Sequence, residues 1–210
     1  MEEIIQKYLQ KGEFKKALNL LEIYKDKESN NVALNYYFGK VYFQLNDHKK
    51  SLFYFRKCNQ INPGNPKILY NLAQVLQGQG KIDEAKKIYK KLIKENSTDI
   101  KSYYGLFNLG VKNINDEYAI KLKILSNDKN IKLFDKCLIN FILSKLKKKE
   151  NKLNDELELL KLAHKQCFDS HSNFNNQSEF YYNKIITKHY NKIKFEDDTN
   201  KKNSFDKSKP

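Results

Sequence analysis

The chain has 210 residues, 40% of them hydrophobic, with only 7 glycines and 3 prolines; that balance supports a continuous core and argues against turn-rich β architectures. The formal net charge is +15, yet Arg56 is the only arginine, and arginine is the side chain best suited to bidentate phosphate contacts. Enrichment in Lys, Asn and Ile together points to a coding bias, so nucleic-acid binding is disfavoured as a function and stands only as an alternative.

The apolar pattern predicts helices in pairs. The first pair covers Glu2–Gln10 and Phe14–Tyr24, with Gly12 in the turn. The second covers Val32–Leu45 and Lys49–Asn59, with Asn46 between them. The third covers Pro66–Gln77 and Ile82–Lys94, with Gly80 in the turn. Gly and Asn tolerate the left-handed conformation that a tight helix–helix turn needs. Pro63 and Pro66 separate the second and third pairs, and Asn96-Ser97-Thr98-Asp99 supplies capping side chains before the fourth. The fourth pair covers Ile100–Leu109 and Asp116–Leu125. Beyond Asn127 the register slips. Helices at Lys132–Lys149 and Asn154–Cys167 fit a fifth pair if its frame is displaced by three residues, with Leu143, Ser144, Leu160 and Ala163 on its small and apolar positions. A further helix is expected at Ser178–Ile193, capped by Asn173–Gln177 and apolar along Phe180, Tyr181, Ile185, Ile186 and Tyr190. The charged segment Glu196–Pro210 reads as a flexible tail or linker. The expected organisation is four repeats over 1–127, a degenerate fifth pair with a capping helix over 128–194, and a tail over 195–210.

Three columns recur at 34-residue spacing: Ala17, Ser51, Ala85 and Ala119; Ile4, Phe38, Leu72 and Leu106; Tyr36, Tyr70 and Tyr104. A repeat of this length means stacked helix pairs that reuse one packing solution. The small column lets two helix axes approach closely, and Phe55 and Tyr89 fill the space toward the next pair.

The segments Val32–Pro63 and Pro66–Ser97 resemble tetratricopeptide repeats. Gly39, Tyr42, Ser51, Phe55, Cys58 and Pro63 fall on the family's Gly, Tyr, Ala, Phe, Ala and Pro positions, and Leu72, Ala73, Ala85 and Tyr89 match in the next repeat. Gln79-Gly80-Lys81-Ile82-Asp83-Glu84-Ala85 is similar to the family's inter-helix stretch, and Gly12-Glu13-Phe14-Lys15-Lys16-Ala17 keeps it in the first repeat. The fourth repeat departs, with Phe107 where a small residue is expected and Lys123 where an aromatic is expected. The resemblance implies an all-α, right-handed α-solenoid of antiparallel helix pairs, and a non-enzymatic scaffold that binds a peptide or partner helix in its concave groove.

The groove residues expected are Tyr36, Lys40, Lys67, Tyr70, Asn71, Gln74, Lys101, Tyr104 and Asn108. Rings beside amide and ammonium donors suit an extended acidic peptide, the rings offering apolar area and the donors holding backbone or carboxylates. The competing view has the tyrosines only covering inter-helix seams. Some tetratricopeptide domains clamp acidic chaperone C-termini; Asn71 and Lys101 stand at two of the five clamp positions, and Tyr36, Lys40 and Gly105 depart at the others.

No Gly-rich phosphate loop, HExxH or paired-Cys motif is present, so no catalytic residue and no cofactor is expected. His164, Cys167 and His171 form the one compact Cys/His group and lack a fourth ligand, so no metal is expected either. Cys58, Cys137 and Cys167 read as reduced thiols. Met1–Leu9 lacks the apolar run of a secretory signal, and no stretch approaches the ~18 apolar residues of a membrane span. A cytoplasmic protein with no membrane partner is the expectation. The layout of repeats, Asn140–Phe168, a long helix and the terminal Lys207-Ser208-Lys209-Pro210 is also similar to the N-terminal portion of bacterial tetratricopeptide–sulfotransferase proteins. That resemblance implies a targeting or substrate-presenting module, because the family's donor-binding Gly-Pro-Arg-Ser-Gly-Thr loop is absent from this sequence.

Overall fold

A computed structural model describes residues 1–25, 30–172, 175 and 176. In chain order the helices are α1 (Glu2–Gln10), α2 (Phe14–Tyr24), α3 (Val32–Gln44), α4 (His48–Ile61), α5 (Pro66–Gly78), α6 (Ile82–Glu95), α7 (Ile100–Asn108), α8 (Asp116–Asn127), α9 (Leu133–Lys149) and α10 (Leu153–Ser170), with a 3-10 turn at Val111–Asn113. The segments expected as a capping helix at Ser178–Ile193 and a tail at Glu196–Pro210 lie outside the described residues.

The turn inside a pair is built the same way four times. Gly12, Asn46, Gly80 and Asn151 take φ of 73°, 59°, 75° and 59°. The next residue in each case (Glu13, Asp47, Lys81, Lys152) donates its N–H to a carbonyl five residues back, on Tyr8, Tyr42, Leu76 and Lys147, at 2.9–3.0 Å. This bond closes the C-terminus of the first helix while the left-handed residue reverses the chain. Asn151 sits three residues beyond the 34-residue period, which is the displacement expected for the fifth pair. Several helix starts are capped by side chains, but not α7: Asp99, in the stretch expected to cap it, makes no cap bond and instead accepts the Ser102 hydroxyl. Asp47 accepts from the Lys50 N–H at 3.0 Å, Asn115 from the Tyr118 N–H at 3.0 Å, and Asn65, with Pro66 behind it, from Lys67 and Ile68.

The small column marks the closest helix contacts. Ala17, Ser51 and Ala85 are fully buried, and the Ser51 hydroxyl donates to the Gly39 carbonyl across the α3–α4 seam at 2.8 Å. Aromatic residues fill the remaining space, Phe55 inside its own pair and Tyr89 toward the next. Phe55 and Tyr89 are fully buried, each against a glycine of a first helix, Gly39 and Gly105. One continuous core runs from Ile5 to Ile142.

Two expectations fail, each for a physical reason. Ile4 is 50% exposed, whereas Phe38, Leu72 and Leu106 in the same column are buried. Among the described residues α1 packs on α2 and α3, and the buried residue of its apolar face is Ile5. The fourth pair is not a pair in the sense of the others. The backbones of α7 and α8 do not approach closely, and the two helices meet through the Tyr103 and Tyr118 rings, 5.4 Å apart. Phe107 occupies the site held by Gly39 and Ala73, and its bulk prevents the approach. Ala119 is accordingly only partly buried. Gly110, at φ 127°, and the 3-10 turn carry the chain across the wider gap. α9 then packs on α7, on α8 and most extensively on α10. Asn140 donates to Gln166 at 2.8 Å, Phe141 lies edge-on to His164 at 5.2 Å, and Ser144 and Ala163 are fully buried.

Candidate functional site

The first helices of successive pairs form one inner row, and a concave pocket of about 650 Å³ opens on it. α3 contributes Tyr36, Lys40, Phe43 and Gln44, and α5 contributes Lys67, Tyr70, Asn71 and Gln74. The far wall comes from Glu95 of α6, the α6–α7 connection at Asn96 and Asp99, and Lys101 of α7. A smaller hollow of about 300 Å³ shares Tyr36, Lys40, Gln44 and Lys67 and reaches Gln6 and Gln10 on α1. The two are continuous, so the groove crosses four helices.

Its floor is aromatic. Tyr36 is only 9% exposed, lying edge-on to Phe55 at 5.7 Å and to Tyr37 at 5.8 Å. Its oxygen accepts from the Asn71 amide at 3.2 Å, and burial raises its pKa against the opposing effect of that bond. Tyr36 is therefore floor rather than a projecting ring, a correction to the expected strip of three exposed tyrosines. Tyr70 is half-buried, tilted on Tyr89 at 5.9 Å, with the Gln74 amide donating to its oxygen at 3.4 Å. Burial raises its pKa, and the nearby Asp99 carboxylate adds to the effect.

The cations gather over that floor. The Lys67 ammonium stands 4.8 Å from the centre of the Tyr36 ring and the Lys40 ammonium 6.0 Å. Lys40 is half-buried, and its pKa lies below the ordinary lysine value because of burial and then because Lys67 and Lys101 repel its charge. No carboxylate offsets this: Lys40, Lys67 and Lys101 take part in none of the ion pairs among the described residues. The two acids on the far wall are already engaged. Glu95 pairs with Lys91 at 3.7 Å, and Asp99 accepts the Ser102 hydroxyl at 2.6 Å.

Tyr104 and Asn108 do not line the pocket. Tyr104 is half-buried beside Phe107 at 6.0 Å, and Asn108 is exposed. Of α7, only Lys101 lines this pocket, and α9 packs on α7. Asn71 is a positioning residue: its amide donates to Tyr36 and to the Lys67 carbonyl at 2.6 Å, leaving no proton for a ligand. With Asn71 so engaged and Gly105 buried under Tyr89, the chaperone-type clamp is not assembled. The wall residues Phe43, Gln44, Glu95, Asn96 and Asp99 were not readable from the tyrosine column. Three of the five lie at the end of a second helix or in the following connection, outside the inner row that the period picks out.

His164, Cys167 and His171 do not converge on a metal. His171 Nδ1 lies 2.9 Å from the Cys167 carbonyl, and His164 faces Phe141. Among the described residues no group of three His, Cys, Asp or Glu side chains could hold a metal ion, and no helix is long and apolar enough to cross a membrane.

Antiparallel helix pairs stacked around one concave groove define the helical-repeat class of protein. Residues 44–106 match the family model described as tetratricopeptide repeat. Over that segment the helix pairs resemble the family's repeats, and the described helices carry the same solenoid fold to either side. Solved structures agree on the fold. Tetratricopeptide-like repeats of a kinesin light chain from Podosopora anserina align with TM-score 0.62 at 14% identity, over 80% of this chain and 94% of theirs. MamA from Desulfovibrio magneticus RS-1 aligns with TM-score 0.59 at 16% identity, over 78% and 91%. YrrB, described as a TPR protein with an unusual peptide-binding site, aligns with TM-score 0.55 at 15% identity, over 77% and 82%. No curated protein matches the chain.

Proposed function

We propose that this protein is a non-enzymatic interaction scaffold whose groove across α1, α3, α5 and α7 takes an extended acidic peptide. The observation that carries this reading is the donor-rich floor: Lys40, Lys67 and Lys101, without acid partners, around the Tyr36 and Tyr70 rings. A groove with unpaired cations and aromatic area complements alternating acidic and aromatic side chains. The described peptide-binding site of YrrB, on a similar fold, is in keeping with it.

Selection from a phage-displayed random-peptide library tests the reading. Enriched peptides are expected to be rich in Asp, Glu and aromatic residues, and to lose about tenfold in affinity on Tyr70→Ala, roughly 1.4 kcal/mol. Because Tyr70 rests on buried Tyr89, that variant should also lose some stability, so Lys67→Gln, an exposed site, serves as the second probe. Selected peptides indifferent to both substitutions would place the binding surface elsewhere.

A further inference from the structure

Three features of the groove bear on what its ligand must carry. The first is charge. Lys40, Lys67 and Lys101 come from three different helices, and the field at Lys40 is set by the other two cations with no carboxylate contributing. Such an arrangement is costly when empty and is relieved by an anion. The second is hydrogen-bonding sense. The Tyr36 and Tyr70 oxygens each accept a bond from an amide, Asn71 and Gln74, which leaves both O–H groups as donors. Ammonium groups donate only, so the three lysines and the two tyrosine hydroxyls offer donors here, beside the amide oxygens of Asn71 and Gln74. The third is polarity along the groove. The acids Glu95 and Asp99 lie on the far wall beside Lys101, and each already has a partner of its own, Lys91 and Ser102.

A single carboxylate brings one negative charge and two oxygens against three ammonium groups, and it leaves more of the cluster's charge uncompensated and more of its donors unused than a dianion does. A phosphate monoester carries about −1.5 to −2 at neutral pH and three strong acceptor oxygens, and lysine engages phosphate as a point charge. Resting on the groove reading above, we infer that the group this groove anchors is the phosphate of a phosphorylated peptide side chain, seated among Lys40, Lys67 and Lys101 with the neighbouring side chains on the Tyr36 and Tyr70 rings.

The test uses the full chain and three matched fluorescent peptides, each with a phenylalanine on either side of a central phosphoserine, glutamate or serine. Fluorescence anisotropy should give the phosphoserine peptide at least about tenfold tighter binding than the glutamate peptide, with the serine peptide weakest. Lys67→Gln and Lys40→Gln should each remove most of that preference, and Lys90→Gln, on an exposed position of α6 outside the groove, should not. Inorganic phosphate should compete weakly, because it lacks the flanking rings. Equal binding of the glutamate and phosphoserine peptides, still sensitive to Tyr70→Ala, would overturn the phosphate inference and leave the acidic-peptide groove standing. Phosphopeptide binding insensitive to the groove lysines, or no binding of any of the three, would overturn it as well. So would displacement of the phosphopeptide by a random single-stranded oligonucleotide binding the same lysines as tightly or more tightly.

Discussion

Gly105→Ala has an effect whose sign depends on the packing of α7 against α6. A β-carbon on Gly105 would clash with Cζ of the Tyr89 ring and lie 2.5 and 2.9 Å from its Cε1 and Cε2. That ring has nowhere to go: Tyr89 is fully buried, carries Tyr70 on one side, and donates its hydroxyl to Gln77 at 3.4 Å. Overpacking of this kind costs about 1–3 kcal/mol, and three contacts to one rigid ring place it in the upper half of that range. Replacing glycine by alanine inside a helix gains about 1 kcal/mol in propensity. The net expectation is a loss of about 1–2 kcal/mol, read as a lower urea midpoint at unchanged slope. Gly105→Ala combined with Tyr89→Leu should show favourable coupling, since the smaller side chain removes the clash. The same substitution should disturb Tyr70 and so weaken peptide binding. If Gly105→Ala is instead more stable than the parent, helix propensity is acting alone, and the close approach of α7 to α6 is wrong.

Ala85→Leu should cost about 1–3 kcal/mol because Ala85 is fully buried where α5 meets α6. Ala119→Leu should cost distinctly less, since α7 and α8 stand apart there; equal costs by urea denaturation would show the fourth pair to be as close as the others. Burial pushes the Cys58 and Cys137 thiols up to about 12, so both stay protonated in mildly alkaline buffer, whereas Cys167 is partly exposed. Iodoacetamide on the folded chain should label Cys167 first by mass spectrometry, and raising the pH short of those values should not recruit the other two; early labelling of Cys58 or Cys137 would contradict their burial.

Periodicity made the fold legible because one packing solution is reused. Gly12, Asn46 and Gly80 mark their turns in the sequence; Asn151, not singled out there, takes the same left-handed role at a position consistent with the three-residue slip. The fourth pair was legible as an anomaly, through Phe107, but its consequence was not, because a bulky residue at a small site can be accommodated in several ways. In the groove, the α3 and α5 residues and Lys101 are brought to one pocket, while Tyr104 and Asn108 fall away from it. Sequence spacing places a residue on a face; it does not say which stretch of that face a pocket will take in. Nor does it show that Tyr36 is buried, because its cover comes from Phe55 and Tyr37 on two different helices.

The location of the binding surface is tested most directly by photocrosslinking. A benzoylphenylalanine installed at Gln74, which lines the pocket, and separately at Lys90, which does not, is irradiated with the matched phosphoserine peptide described above. The account predicts a covalent adduct from position 74, suppressed by Lys67→Gln, and none above background from position 90. Crosslinking from position 90 with none from position 74 would contradict it.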